Sequence, residues 1–454
     1  MRRQILVLVS SATIGINLLH AQNEAGFNNV NPLSSDQGGI RLKNMSLFMT
    51  YYSVAPEAFT GGANGVSLMG DAGVGGSATL AYSRFRERSK LSIVYTPSYV
   101  KRLRYSDGST PNQTLSLNWR RNLTQRWTYT VAASGIDMSL SDALFAPTRF
   151  ADVVAAPATF EELASAMVAG KFTNNELAAI LTGAPVLESP EKMLFYGNRV
   201  LSASIITGLS YSRSSRLTFY VNGAANRSQN LKDPNTPATV QPTYLAARTT
   251  TESASMGMGY SLSPRTRLGV DFSSSRTTSN LQDAYTSTSN VSLGRTMGVN
   301  WFLQIHGGIG VIDELRQYSS LPAGPQYQAG GSIGYKTHAH TFIAAIDRSV
   351  SDSYGLGAAD SLVGSGAWNW RRPGSSWSMS SNFGQQRLTG TRFGDISTWF
   401  ATAGFARRVG VRTAVSTQYA YLSNTGLVGG PNWQGSLHTV RVSIVWSPNG
   451  GIAQ

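Results

Sequence analysis

The sequence predicts an all-β protein, a transmembrane antiparallel up-and-down β-barrel of about 18 strands. From Leu47 to Trp446, segments of about 10 residues alternate apolar and polar side chains, as strands with one apolar face do. Tight polar turns and longer polar loops connect them in alternation. Only 14% of residues are charged, against about 25% in soluble domains. A closed barrel suits this pattern because it leaves no unpaired backbone group in lipid.

The N-terminus reads as a signal peptide over residues 1–21. Arg2 and Arg3 precede an apolar stretch, and Ala21 ends a plausible cleavage site. We expect a periplasmic segment over 22–44, the barrel over 45–447 and a tail over 448–454. No stretch of about 20 apolar residues follows the signal, which excludes a helical membrane protein. These features predict an integral protein of the outer membrane of a Gram-negative-type bacterium.

The alternating segments number 18, an even count as single-chain bacterial barrels require, although counts of 16 to 20 also fit. The predicted strands cover residues 45–54, 77–87, 90–103, 113–121, 126–137, 200–213, 216–227, 250–262, 266–276, 286–297, 301–312, 327–336, 340–349, 361–371, 376–386, 396–407, 411–422 and 436–446. The tight turns would be periplasmic. The longer connections would be extracellular loops, at 227–248, 313–326, 350–360, 387–395 and 422–435.

Tryptophans lie beside the short turns and indicate a girdle at one membrane interface. They are Trp119, Trp127, Trp301, Trp370, Trp377 and Trp446. The two-residue period then places apolar side chains outward and small polar ones inward. Predicted inward residues include Ser116, Asn118, Asn222, Ser332, Asn382 and Gln418. A barrel of this width with such a lining predicts a hydrated pore rather than a packed core.

One insert, residues 138–199, interrupts the pattern after the fifth strand. A helix is predicted to start at Thr159, because Glu162 follows three residues later as in a capping box. A second helix is predicted over residues 173–181. A long connection with its own structure is usually functional. Its acids are candidates to line a constriction: Asp142, Asp152, Glu161, Glu162 and Glu176.

This arrangement resembles that of Gram-negative porins, whose loop after the fifth strand folds into the barrel and narrows the pore. The chain shares the barrel-wide pattern and the loop position, but no residue motif. The strand count is nearer that of the 18-stranded sugar porins and polysaccharide exporters. The resemblance implies a transport function and leaves the class of solute open between small molecules and a polymer.

The charge distribution suggests an anion preference. The chain has a net charge of +14, and removing the signal peptide lowers it to +12. If the insert folds inward, its acids would face an arginine-lined wall and create a transverse field in the pore. Alternatively, the insert caps the outside and the arginines bind lipid phosphates. Candidate pore-lining residues are Arg102, Arg120, Arg126, Arg216, Arg267, Arg371, Arg408, Arg412, Arg441, Tyr220 and His306.

We expect no catalytic site, no cofactor and no metal site. Residues 330–334 match the G-x-S-x-G pattern of hydrolases but lie within a predicted strand rather than a strand-to-helix turn. With no cysteine, disulfides and thiolate metal sites are excluded. His338 and His340 flank a turn without enough further ligands. Nucleic-acid binding is not expected, because no basic helix or clustered basic run occurs.

The expected function is a channel in contact with outer-membrane lipid for passive passage of hydrophilic solutes, biased to anions. One alternative is a secretion barrel for an acidic exopolysaccharide that works with periplasmic export partners, with Tyr220 and Phe302 stacking on sugars. Another is a surface adhesin. The sequence leaves open whether the barrel forms a homo-oligomer.

Overall fold

The computed structural model describes residues 39–53, 70–104, 110–139, 199–230, 248–279, 283–298, 300–314, 324–352, 358–371, 374–391, 394–425 and 434–448. These residues form one 18-stranded antiparallel sheet. Each strand pairs with its neighbours in the sequence, and the first strand also pairs with the last. The sheet is therefore a closed up-and-down barrel, as predicted.

The strands are β1 (Gly39–Tyr52), β2 (Asp71–Arg86), β3 (Ser89–Arg102), β4 (Thr110–Asn122), β5 (Trp127–Ser139), β6 (Arg199–Ser212), β7 (Leu217–Asn230), β8 (Arg248–Ser263), β9 (Thr266–Ser279), β10 (Asp283–Met297), β11 (Trp301–Glu314), β12 (Gln326–Lys336), β13 (His340–Asp352), β14 (Ala358–Arg371), β15 (Trp377–Thr391), β16 (Gly394–Arg408), β17 (Thr413–Thr425) and β18 (Gln434–Trp446). No helix in this part of the chain is long and apolar enough to cross a membrane.

The strands extend further than predicted at the end with the longer connections, which we call the long-loop end. β2 begins at Asp71, ahead of the expected boundary at residue 77. At the other end of the barrel, β1 also begins early, at Gly39 instead of residue 45. The expected loop over 387–395 is mostly strand, since β15 continues to Thr391 and β16 resumes at Gly394. The opposite, turn-side end has the short connections. The predicted helical insert lies outside the described residues.

The outer wall is apolar over its middle. Leu47, Val221, Ile346 and Phe383 point outward and are between 57% and 71% exposed. Large apolar side chains left exposed in this number would be unstable in water but are solvated by lipid chains. The period-two pattern therefore assigned the outward face correctly.

An aromatic girdle rings the outer wall near the turn-side end. The six predicted tryptophans all occupy outward strand positions there. Several form ring pairs across neighbouring strands: Trp127 and Tyr211 have centroids 4.6 Å apart, and so do Trp301 and Tyr335. Arg407 lies 4.4 Å above the ring of Trp377. Amphipathic rings prefer the membrane–water interface, so the girdle marks one boundary of the lipid. A closed barrel with this outer wall is an integral outer-membrane protein.

Candidate functional site

The inner wall of the barrel is lined mainly by small polar side chains. Asn222 on β7 donates from Nδ2 to Ser255 Oγ on β8 at 3.2 Å. Ser416 on β17 and Ser443 on β18 bond through their hydroxyls at 2.6 Å. Such cross-strand pairs satisfy the hydroxyl and amide groups within the wall. These bonds join neighbouring strands on a polar inner face.

A cluster of ionisable side chains lies on the inner wall formed by β9 to β13. His306 Nε2 on β11 lies 3.0 Å from Asp347 Oδ2 on β13. Asp271 on β9 accepts a hydrogen bond of 3.3 Å from Asn290 Nδ2 on β10. His306 was a predicted pore-lining residue, and the two-residue period places Asp271 and Asp347 on the same inward face. This segment of the wall carries two of the inward carboxylates among the side chains described.

Arg441 lies on the far side of the barrel from this group. It is on β18, nine strands from β9 in a ring of 18. Its Nε donates to Thr50 Oγ1 on β1 at 3.0 Å, and its guanidinium lies 4.3 Å above the ring of Phe48. Arg441 and Asp271 are each five residues from the turn-side end of their strands. The wall is therefore polarised across the lumen, with carboxylates on one side and a guanidinium on the other.

Seven basic strand residues point inward near the turn-side end, and we call them the inner cation ring. Lys90 on β3 and Arg120 on β4 are direct cross-strand neighbours. No inward acid lies at this end among the side chains described. A mouth lined by one sign of charge raises the local concentration of counter-ions. The ring consists of Arg41, Lys90, Arg120, Arg267, Lys336, Arg371 and Arg408.

The other predicted basic candidates occupy different positions. Arg126, Arg216 and Arg412 lie in turns and are exposed at the rim. Arg102 points inward at the long-loop end but is 1% exposed, with Nε 2.6 Å from Asp71 Oδ2. It is thus held in a buried ion pair within the wall. Sequence periodicity gave the face of Arg102 but not the acid beside it.

The two aromatic candidates for sugar stacking are buried. Tyr220 packs its ring over Gly257 of β8, and Phe302 packs over Gly334 of β12. Their exposed fractions are 8% and 1%. A ring that stacks on a sugar must present its face to the lumen, so the expected stacking role of these residues is wrong.

The inner wall also holds apolar side chains that the sequence analysis did not identify as lumen-facing. They cluster at the long-loop end, where β15, β16, β17, β18 and β1 are neighbours. Each is at most 2% exposed, so none contacts lumen water. They are Leu388, Ile396, Leu422, Leu437 and Tyr52. Their positions in the two-residue period of their strands place them on the inward face, and this feature of the sequence could have identified them.

The acids predicted for a constriction, Asp142, Asp152, Glu161, Glu162 and Glu176, lie outside the described residues. The G-x-S-x-G pattern lies within β12, with Ser332 facing inward as a wall residue. His340 Nδ1 accepts a hydrogen bond from Trp368 Nε1 at 3.3 Å. No group of three or more potential metal ligands occurs among the described residues.

No family model matches the chain, and no curated protein does. Among solved structures, it is similar to Pseudomonas aeruginosa OpdK with vanillate, with 11% identity and a TM-score of 0.42 over 89% of this chain and 97% of that one. It is similar to OccK2 (OpdF) of the same organism in complex with glucuronate, with 10% identity and a TM-score of 0.42 over 90% and 98%. It is also similar to P. aeruginosa OprD, with 10% identity and a TM-score of 0.42 over 96% and 98%. At these values the likeness is no evidence for a function of this chain.

Proposed function

We propose that this protein is a passive outer-membrane channel for small hydrophilic solutes, that it favours anions, and that it is not an enzyme. The observation that carries the proposal is the inner cation ring at the turn-side mouth. Its seven basic side chains have no inward carboxylate near them among the described residues. Anions would accumulate at this mouth and cations would be depleted.

The polarised mid-section supports a further part of the proposal. A solute that carries a negative and a donor-rich end would be oriented with its anionic end toward Arg441. Its donor groups would then face Asp271 and Asp347. Such orientation lowers the entropic cost of passage and favours solutes of that shape over symmetric ions. Arg441 retains its bond to Thr50, so the guanidinium is held in place rather than swinging in the lumen.

The alternative of an exopolysaccharide exporter has less support. The two aromatic residues proposed for sugar stacking are buried, so the described wall offers no stacking surface from them. A surface adhesin would place its function in the longer loops, most of which lie outside the described residues. Of the functions considered, a channel for small solutes is the one that the polar lining and the inner cation ring support directly.

The test is the reversal potential of the refolded chain in a planar bilayer under a potassium chloride gradient. Two adjacent pairs, Arg120 with Arg121 and Arg407 with Arg408, provide matched variants. Arg120 and Arg408 point inward, whereas Arg121 and Arg407 point outward at the same end. Each double variant removes two positive charges from one face only.

We expect Arg120→Gln with Arg408→Gln to move the reversal potential toward that of a non-selective pore. Arg121→Gln with Arg407→Gln should leave it close to the wild-type value. Equal shifts from both double variants would mean that overall surface charge, and not the lumen, sets selectivity. That result would contradict the proposal, as would a wild-type channel that prefers cations.

A further inference from the structure

A second set of arginines lies on the outside of the turn-side end. Four of them occupy outward positions on β2, on β4 and in the turn between β6 and β7, on one continuous part of the rim. All are exposed. We call them the outer arginine cluster: Arg84, Arg86, Arg121 and Arg213.

The cluster adjoins the aromatic girdle. Arg121 is the register neighbour of Tyr129, whose ring meets that of Trp119 edge-on, and Arg213 follows Tyr211 by two residues. Trp127 and Tyr211 form one of the ring pairs of the girdle, at 4.6 Å between centroids. Since girdle rings lie at the level of the lipid headgroups, guanidinium groups next to them lie at the level of the phosphates.

The cluster has no acidic partner in the described part of the chain. The one described acid at this end is Glu87, and no ion pair joins it to the cluster. Two outward arginines of the long-loop end differ. Arg276 pairs with Asp283 at 2.9 Å and Arg348 pairs with Asp360 at 2.8 Å. The charges of these two arginines are therefore compensated within the protein, whereas those of the cluster are available to an external anion.

We propose that the outer arginine cluster binds the phosphate groups of anionic phospholipids in the leaflet at the turn side. Guanidinium groups bind phosphate oxygens in a bidentate manner. Basic residues near a membrane surface also attract lipids of net negative charge. The rim position beside the girdle favours a lipid over a soluble partner, because the cluster follows the same face that contacts the acyl chains.

The experiment reconstitutes the full chain in vesicles of phosphatidylcholine with a minor fraction of phosphatidylglycerol. One or the other lipid carries brominated acyl chains, and quenching of tryptophan fluorescence gives their relative binding to the barrel surface. Trp127 lies beside the cluster, so bound brominated lipid quenches it. Heat-modifiable gel mobility shows whether each variant is folded.

We expect the wild type to prefer phosphatidylglycerol, and Arg84→Gln with Arg121→Gln and Arg213→Gln to lose most of that preference. The matched control, Arg120→Gln with Arg267→Gln and Arg408→Gln, removes three inward charges at the same end and should keep it. If the variant fails to fold, the three corresponding Arg→Lys changes keep the charge and should retain part of the preference.

Three results would overturn the proposal. One is a wild type without preference between the two lipids. Another is an equal loss in both triple variants. The third is a wild type that shows no lipid preference but binds polyglutamate through the cluster, because that would assign the surface to an acidic protein partner. None of these results depends on whether the lumen conducts ions.

Discussion

His306 and Asp347 pair across an intervening strand, and Gly330 between them makes the contact possible. His306 on β11 is the register neighbour of Gly330 on β12, which is in turn the neighbour of Asp347 on β13. The two side chains meet above the glycine, with Nε2 3.0 Å from Oδ2. A side chain at position 330 would occupy the space in which they meet.

The first prediction concerns Gly330→Ala. Its Cβ would lie 2.5 Å from His306 Cε1 and 2.7 Å from Asp347 Oδ2, so both side chains must move. We expect the free energy of unfolding in urea to fall by about 1–3 kcal/mol, the usual cost of overpacking. Gly259→Ala is the control, because this inward glycine of β8 has no atom within 4 Å of the added Cβ. Equal effects of the two substitutions would contradict the assigned role of Gly330.

The second prediction contrasts two ion pairs. Asp71→Ala leaves Arg102 charged at a site where the pair's side chains are 0% and 1% exposed. Removing one member of a buried pair costs about 3–5 kcal/mol. Asp395→Ala removes the partner of Arg387 from a pair whose side chains are 57% and 58% exposed, and should cost less than about 1 kcal/mol. Urea unfolding in lipid vesicles measures both, and similar losses would contradict the assigned burial.

The third prediction concerns the aromatic girdle. Trp301 and Tyr335 face each other across β11 and β12 with centroids 4.6 Å apart. A double-mutant cycle of Trp301→Ala and Tyr335→Ala should give a coupling energy of about 0.5–1.5 kcal/mol. The same cycle for Trp399 and Tyr335, which lie on the non-adjacent strands β16 and β12, should give no coupling energy. A coupling near zero for the first pair would mean that the two rings act as independent anchors.

The fourth prediction tests the hypothesis that the insert over 138–199 narrows the pore. Inward residues at the long-loop end, including Thr50 and Thr439, are 0% exposed, so little water reaches the wall there. Deletion of residues 140–197 should increase single-channel conductance. Shortening the 231–247 connection serves as the control and should change conductance less. Unchanged conductance of a folded deletion variant would contradict the hypothesis.

Sequence alternation was sufficient for the strand number and the faces within the lipid. Tyr220 and Asn222 were predicted inward, which places Phe219 and Val221 outward, and the register agrees. The alternation arises because one face contacts lipid and the other contacts the lumen. Where both faces meet water the pattern fades, and so the ends of β15 and β16 near Arg387 and Asp395 were predicted as loop.

The relations between strands were harder to predict. The period of two places both Asp271 and Asp347 inward with His306. The pairing of His306 with Asp347 depends on register and on Gly330, which single-strand periodicity does not contain. The burial of Tyr220 and Phe302 likewise depends on glycines of neighbouring strands, Gly257 and Gly334. A period of two gives the direction of a side chain but not its neighbours.

The central claim is that the barrel is an open, anion-preferring channel. The most direct test is single-channel recording of the refolded wild-type chain in a planar bilayer under a salt gradient, with folding verified by heat-modifiable gel mobility. The structure predicts steady conductance with a reversal potential on the anion-selective side, because the inner cation ring lines the turn-side mouth. A folded barrel that carries no current would contradict the claim.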